Sequence, residues 1–136
     1  MSSTNNDLFD VLANSPLGHL VIAPDGSIRL LNENFTRITG YGQEDISHIH
    51  EWFFLASGDP DLGDDWIAQW EDWGKQGKPV SGVWEFFSRN ERLLQLDISL
   101  SFLSDGHCVL AVRDETQQIR LAKELADHQE KHSALS

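Results

Sequence analysis

Cysteine is almost missing from this chain: Cys108 is the only one in 136 residues. No internal disulfide can form and no multi-cysteine zinc site can be built, which fits a reducing compartment, and a cytoplasmic location is the expectation. Basic residues are also scarce, 10 against 22 acidic ones, for a formal charge of −12. A field of that sign repels a phosphate backbone, so nucleic-acid binding is not expected. Long apolar runs are lacking too. None exceeds Trp52 to Ala56, far short of the ~20 residues of a membrane span, and the first residues, MSSTNNDLFD, hold no basic region followed by an apolar one. Neither a signal peptide nor an anchor nor direct membrane contact is expected. There is no glycine-rich phosphate loop, no Gly-x-Ser-x-Gly elbow and no His-Glu-x-x-His pair, so nothing argues for an enzyme.

What is present suits one domain: 40% hydrophobic residues in a chain of this length can bury a core without staples. Leu8, Phe9, Val11 and Leu12 have helical spacing behind Asp7, and Ser15-Pro16 marks a stop near Asn14. Two short apolar runs, 18–23 and 27–31, flank Pro24-Asp25-Gly26 and read as a hairpin. Asn32 is placed to cap a helix whose apolar positions include Phe35 and Ile38 and which ends at Gly40. Glu44 to His50 reads as a helical turn, followed by an aromatic cluster at Trp52, Phe53 and Phe54 and a turn-rich acidic loop after Ser57.

Asp64 or Asp65 would cap the next helix, running through Trp73 and stopped by Gly74, Gly77 and Pro79. The acidic residues from Asp59 to Asp72 read as a solvated loop and helix start, because a calcium loop needs denser ligand spacing. Trp66, Trp70 and Trp73 fall on one face, and three indoles there are expected to cover the core. Beyond them, Val80 to Arg89 is β-rich. From Leu94 to Phe102 apolar and polar residues alternate cleanly, Asp105-Gly106 turns the chain, and Cys108 to Val112 makes a third strand of a meander. After Asp114-Glu115-Thr116 the composition becomes charged and helix-favouring. Leu121, Leu125, His128, His132 and Leu135 form a weak heptad seam that runs to the chain end, as in a piece of a longer protein.

The stretch PDGSIRLLNENF, the Asn32 and Phe35 helix start, Gly40-Tyr41, Trp70, Gly77, Glu85-Phe86, the Leu96-Asp97-Ile98-Ser99 strand, and Asp114 with Thr116 together resemble the PAS domain, or sensory box. The likeness runs from Leu8 to about Leu125. It implies an α+β fold: a five-stranded antiparallel sheet with helices packed on one face, a pocket between them, and an exit helix. Residues 1–6 would be a disordered leader, 7–116 the sensory domain, and 117–136 the helix toward an output domain outside this sequence. The chain departs from the family pattern at Ala23, Val80 and Glu115, and at Glu91, where a turn glycine is usual. At that turn Asn90, which takes a left-handed conformation more cheaply than most residues, is expected to compensate.

The resemblance also implies a role: a bacterial sensory module whose output is a diguanylate cyclase or a histidine kinase. It would bind an unidentified small molecule, mainly apolar or aromatic. Phe35, Ile38, Trp52, Trp70, Leu96 and Ile98 are the candidate pocket residues, and Asp114 and Thr116 the candidate relay to the exit helix. The alternative is a ligand-free dimerisation module, a homodimer through its terminal helices. No cofactor is assigned. The Asn-Cys-Arg-Phe-Leu motif of flavin-adduct photosensors has no match, and Cys108 reads as a small core residue. Haem-binding members carry an axial histidine on the long helix, where this chain has none; His48 and His50 lie earlier. Some members hold FAD with a tryptophan near the position of Trp70, which leaves flavin as a minor option.

Overall fold

The computed structural model describes residues 16–135; the expected helix at Asp7 to Asn14 lies outside them. The chain order is β1 (Gly18–Ile22), β2 (Ile28–Leu31), α1 (Glu33–Thr39), α2 (Ile49–Ser57), α3 (Pro60–Gln76), β3 (Val80–Phe87), β4 (Leu93–Phe102), β5 (Cys108–Asp114) and α4 (Thr116–Leu135). The strands form one antiparallel sheet in the order β2-β1-β5-β4-β3. The first and last strands are therefore neighbours at its centre, with Gly18 opposite Val112 and Leu20 opposite Leu110.

Alternation decides which side of the sheet is buried. Leu94, Leu96, Ile98 and Leu100 of β4 face inward with Leu20, Ile22, Leu110 and Val112, and the helices α1 to α3 cover them. Gly18 lets α1 lie close on β1, since a Cβ there would stand 2.8 Å from the Phe35 Cα. Aromatic rings fill the middle of the core. Trp52 meets Phe35 edge-on at 5.1 Å and Phe86 at 4.7 Å, and Trp66 meets Phe86 edge-on at 4.6 Å. Each such pair adds about 0.5–1.5 kcal/mol to the area it buries.

The hairpin, the Asn32 cap, the Gly40 stop and the meander follow the pattern read from the sequence. The region between Tyr41 and Trp66 does not. In place of a helical turn over Glu44 to His50, residues 43–45 form a hydrogen-bonded turn closed by Asp45, whose carboxylate accepts from the Gly42 N–H at 2.8 Å. The aromatic cluster is a helix: Ile49, Trp52, Phe53 and Ala56 make one buried stripe at helical spacing.

The acidic loop after Ser57 shrinks to Gly58 and Asp59, because Asp59 rather than Asp64 or Asp65 caps α3. Its carboxylate accepts from the Asp61 N–H at 2.9 Å, and Pro60 occupies the first turn, where its missing N–H costs nothing. The helix passes through Gly74 and stops only at Gly77. Trp66 and Trp70 are buried, and Trp73 packs on Trp84 at 5.9 Å. At the β3–β4 turn the left-handed residue is Glu91, with φ of 62°, not Asn90. Three bonds hold that turn: the Glu91 N–H donates to the Ser88 carbonyl at 2.9 Å, the Ser88 N–H to the Arg92 carbonyl at 2.8 Å, and the Arg92 N–H to the Ser88 hydroxyl oxygen at 3.1 Å.

Candidate functional site

The side chains proposed for a pocket all reach the layer between helices and sheet. Phe35 on α1, Trp52 on α2 and Leu96 on β4 are fully enclosed, Trp70 on α3 and Ile98 on β4 are buried, and Ile38 packs at the edge of the same cluster. Phe35 and Trp52 touch. Trp70 stands apart from them, over Phe102 at 5.7 Å, on the side of the core nearer the β4–β5 turn.

A cavity of about 20 Å³ opens between α3 and the sheet, lined by Phe53, Trp66, Trp84, Phe86, Ile98 and Leu110 among others. It has room for about one water-sized sphere, and its walls are almost wholly apolar. Ile98 is the candidate pocket residue that lines it. Phe53, Trp66, Trp84 and Phe86 were not singled out as pocket residues, although the sequence marked them as aromatic and apolar. Which aromatic side chains border a gap depends on how α3 lies across β3, and no local pattern carries that. Close to this aromatic group, the Trp52 indole N–H is buried without a hydrogen-bond partner among the described residues. A buried donor left unpaired costs about 1–3 kcal/mol, and an acceptor brought to it would recover that cost.

Asp114 and Thr116 form a joint at the start of α4. One Asp114 carboxylate oxygen accepts from both the backbone N–H and the hydroxyl of Thr116. That hydroxyl oxygen in turn accepts from the Gln95 N–H at 2.9 Å, while the Glu115 N–H donates to the Gln95 carbonyl at 2.8 Å. Both backbone groups of Gln95 are thus spent on the exit segment, immediately before Leu96 in the core. Gln95 was not foreseen, since its backbone makes the contact and no side-chain signal announces it. Beyond the joint α4 leaves the body of the fold, with Leu121 56% and Leu125 61% exposed.

The reactive side chains are tied into the structure. Cys108 is buried in β5, and desolvation pushes its thiol up to about 12, far from the thiolate that nucleophilic or adduct chemistry needs. His48 uses both ring nitrogens in hydrogen bonds within the fold. His50 is held below the ordinary histidine value, first by burial and then by neighbouring His48, against the opposing pull of Glu71. No group of three or more metal-ligating side chains occurs among the described residues, and no helix among them is long and apolar enough to cross a membrane.

A five-stranded antiparallel sheet in the order 2-1-5-4-3, with short helices on one face and a helix leaving the last strand, is the PAS fold. Solved PAS domains bear this out. The chain superposes on a domain of the sensory box sensor histidine kinase/response regulator from Geobacter sulfurreducens with a TM-score of 0.68 and 19% identity, covering 82% of this chain and 94% of that one. The PAS domain of Bordetella pertussis BvgS gives a TM-score of 0.68 at 15% identity, over 95% and 98% of the two chains. A LOV protein from Rhodobacter sphaeroides gives 0.67 at 19% identity, over 84% and 68%. No family model matches the sequence, and no curated protein does.

Proposed function

We propose that this domain is a sensory module of a bacterial signalling protein, acting in the cytoplasm. It binds a small apolar or aromatic molecule between sheet and helices and relays the change through α4 to an output domain such as a histidine kinase or diguanylate cyclase. The observation that carries this reading is the joint at Gln95. The residue next to it in β4, Leu96, is fully enclosed in the core, while Gln95 itself grips Thr116 and Glu115 at the root of α4. A displacement of β4 by a molecule in the core would therefore tilt the exit helix, provided the molecule binds the two arrangements with different affinity. The apolar gap beside Trp66 and the unpaired Trp52 N–H support a ligand that is largely apolar with one acceptor atom. Absorption from 300 to 700 nm of freshly purified protein, with mass spectrometry of whatever denaturation releases, tests this directly. A co-purifying molecule whose binding weakens in Trp52→Phe or Trp66→Ala is the expected result. A released molecule whose affinity neither variant alters would place its site elsewhere.

A second reading draws on two other observations: the gap is small, and α4 presents Leu121 and Leu125 to solvent. In it the domain pairs two copies through helices and needs no ligand. Light scattering of the wild type beside Leu121→Glu/Leu125→Glu decides it: a dimer that the variant dissociates supports it, and a monomer in both rules it out.

A further inference from the structure

The imidazole of His48 stands between two parts of the chain that are distant in sequence. On one side its Nε2 lies 2.8 Å from the Asp25 carbonyl oxygen in the β1–β2 turn. On the other its Nδ1 accepts from the His50 backbone N–H at 3.2 Å and so caps α2. The turn is shaped to the ring. Gly26 has φ of 91°, and a Cβ there would stand 2.4 Å from His48 Cε1. Backbone contacts complete the seam: Ser27 bridges to His48, the Ile28 N–H donates to the Ser47 carbonyl at 2.9 Å, and the Ile49 N–H to the Gly26 carbonyl at 2.9 Å.

These bonds specify the tautomer. A ring nitrogen that accepts from an N–H carries no proton, so the proton sits on Nε2 and is donated to Asp25. The imidazolium has a proton on each nitrogen. Its Nδ1–H would point at the His50 N–H, donor against donor, and the cap would fail.

The charged groups around the ring come from each neighbouring element. The hairpin contributes Asp25, with Arg29 beside it; α2 contributes Glu51 and His50; and Glu71 of α3 faces His50. Asp25 and Glu51 are both held below the usual carboxylate range by their hydrogen bonds, from Ser27 and Ser47 respectively. They stay ionised while a histidine titrates and offer an imidazolium new partners.

We propose that His48 is a proton-operated latch: when neutral it pins the first turn of α2 to the β1–β2 turn, and when protonated it gives up that cap and turns toward the carboxylates of Asp25 and Glu51. Because α2 carries Trp52 and Phe53 into the core, the latch links acidification to the aromatic cluster. It requires no ligand and stands independently of the sensing role.

Nuclear magnetic resonance of the full chain between pH 7.5 and 5 tests it by following the His48 ring and the His50 backbone amide together. The His50 amide shift is expected to move with the midpoint of the His48 ring, and its hydrogen exchange to lose roughly fivefold protection, the equivalent of one lost cap. In His48→Asn the side-chain oxygen caps without titrating, so the response should vanish while the fold is kept; in His50→Gln the amide response should persist. A response that survives His48→Asn, one that disappears in His50→Gln, or an amide that stays flat while the His48 ring titrates overturns the proposal.

Discussion

Replacing Asn32 with alanine removes at least three hydrogen bonds among the described residues. Its Oδ1 accepts from the Phe35 N–H at 3.0 Å and from the His19 N–H at 2.8 Å, and its Nδ2 donates to the Leu17 carbonyl at 3.0 Å. The side chain is only 5% exposed, so water cannot take its place cheaply. Loss of the helix cap alone costs about 1 kcal/mol. Losing the bonds to the His19 N–H and the Leu17 carbonyl adds about 1–2 kcal/mol each, for a total of roughly 3–5 kcal/mol. Against a typical stability of about 5–15 kcal/mol this is a large share.

Urea unfolding followed by tryptophan fluorescence should show the midpoint falling by roughly 2 M, for a slope near 2 kcal/mol/M. Asn32→Asp keeps both accepted bonds but sets a carboxylate oxygen against the Leu17 carbonyl in place of the donated one, so it should recover only part of the alanine loss. Glu33→Ala, one residue on at an exposed ion pair with Arg37, should stay within about 0.5 kcal/mol of wild type. An Asn32→Ala midpoint within about 0.5 M of wild type would show that Asn32 is not the joint between β1, β2 and α1. An Asn32→Asp loss equal to that of alanine would place the cost in the Leu17 bond rather than in the cap.

Glu91 holds a left-handed conformation, so Glu91→Gly should stabilise the domain by about 0.5–1 kcal/mol; an unchanged or lower urea midpoint refutes this. Cys108 should resist iodoacetamide at pH 8 in the folded protein and react promptly in 8 M urea, as mass spectrometry would show; rapid labelling of the native state would mean that the thiol is neither buried nor raised to about 12. His19 and His50 are both held low in the fold, chiefly by burial. The unfolded chain therefore binds more protons once the pH drops below about 6.5, so their contribution is full above that value and is lost as the pH falls. The difference in urea midpoint between pH 7.5 and 5 should be smaller in His50→Gln than in wild type, and an equal or larger difference contradicts the sign.

Local chemistry made much of the fold legible. Pro24-Asp25-Gly26 could only turn, Asn32 had free helix amides to cap, and the period-two run from Leu94 to Phe102 had one apolar face to bury. The Tyr41 to Trp66 region misled because its signals compete. His48 is an uncommon cap, and Asp59-Pro60 is as much a turn signature as a helix start, so the acidic run read as a loop. The buried stripe of Ile49, Trp52, Phe53 and Ala56 was the signal that could have found α2. At the β3–β4 turn, side-chain preference favours Asn90 as the left-handed residue, but the Ser88 to Arg92 hydrogen bonds place Glu91 there.

The sequence by itself determined the elements whose cause is local: turns, caps and alternating strands, each stabilised within a few residues of itself. It also determined the core side of β4 and the apolar character of the candidate pocket. Only the tertiary structure decided that β1 and β5 would lie side by side, that Trp66 and Phe86 would border the gap, that the backbone of Gln95 would hold the exit helix, and that His48 would reach the Asp25 carbonyl. Those contacts join residues far apart in the chain. They arise from the packing of whole elements and from the need to pair buried backbone groups, and neither is written at any single position.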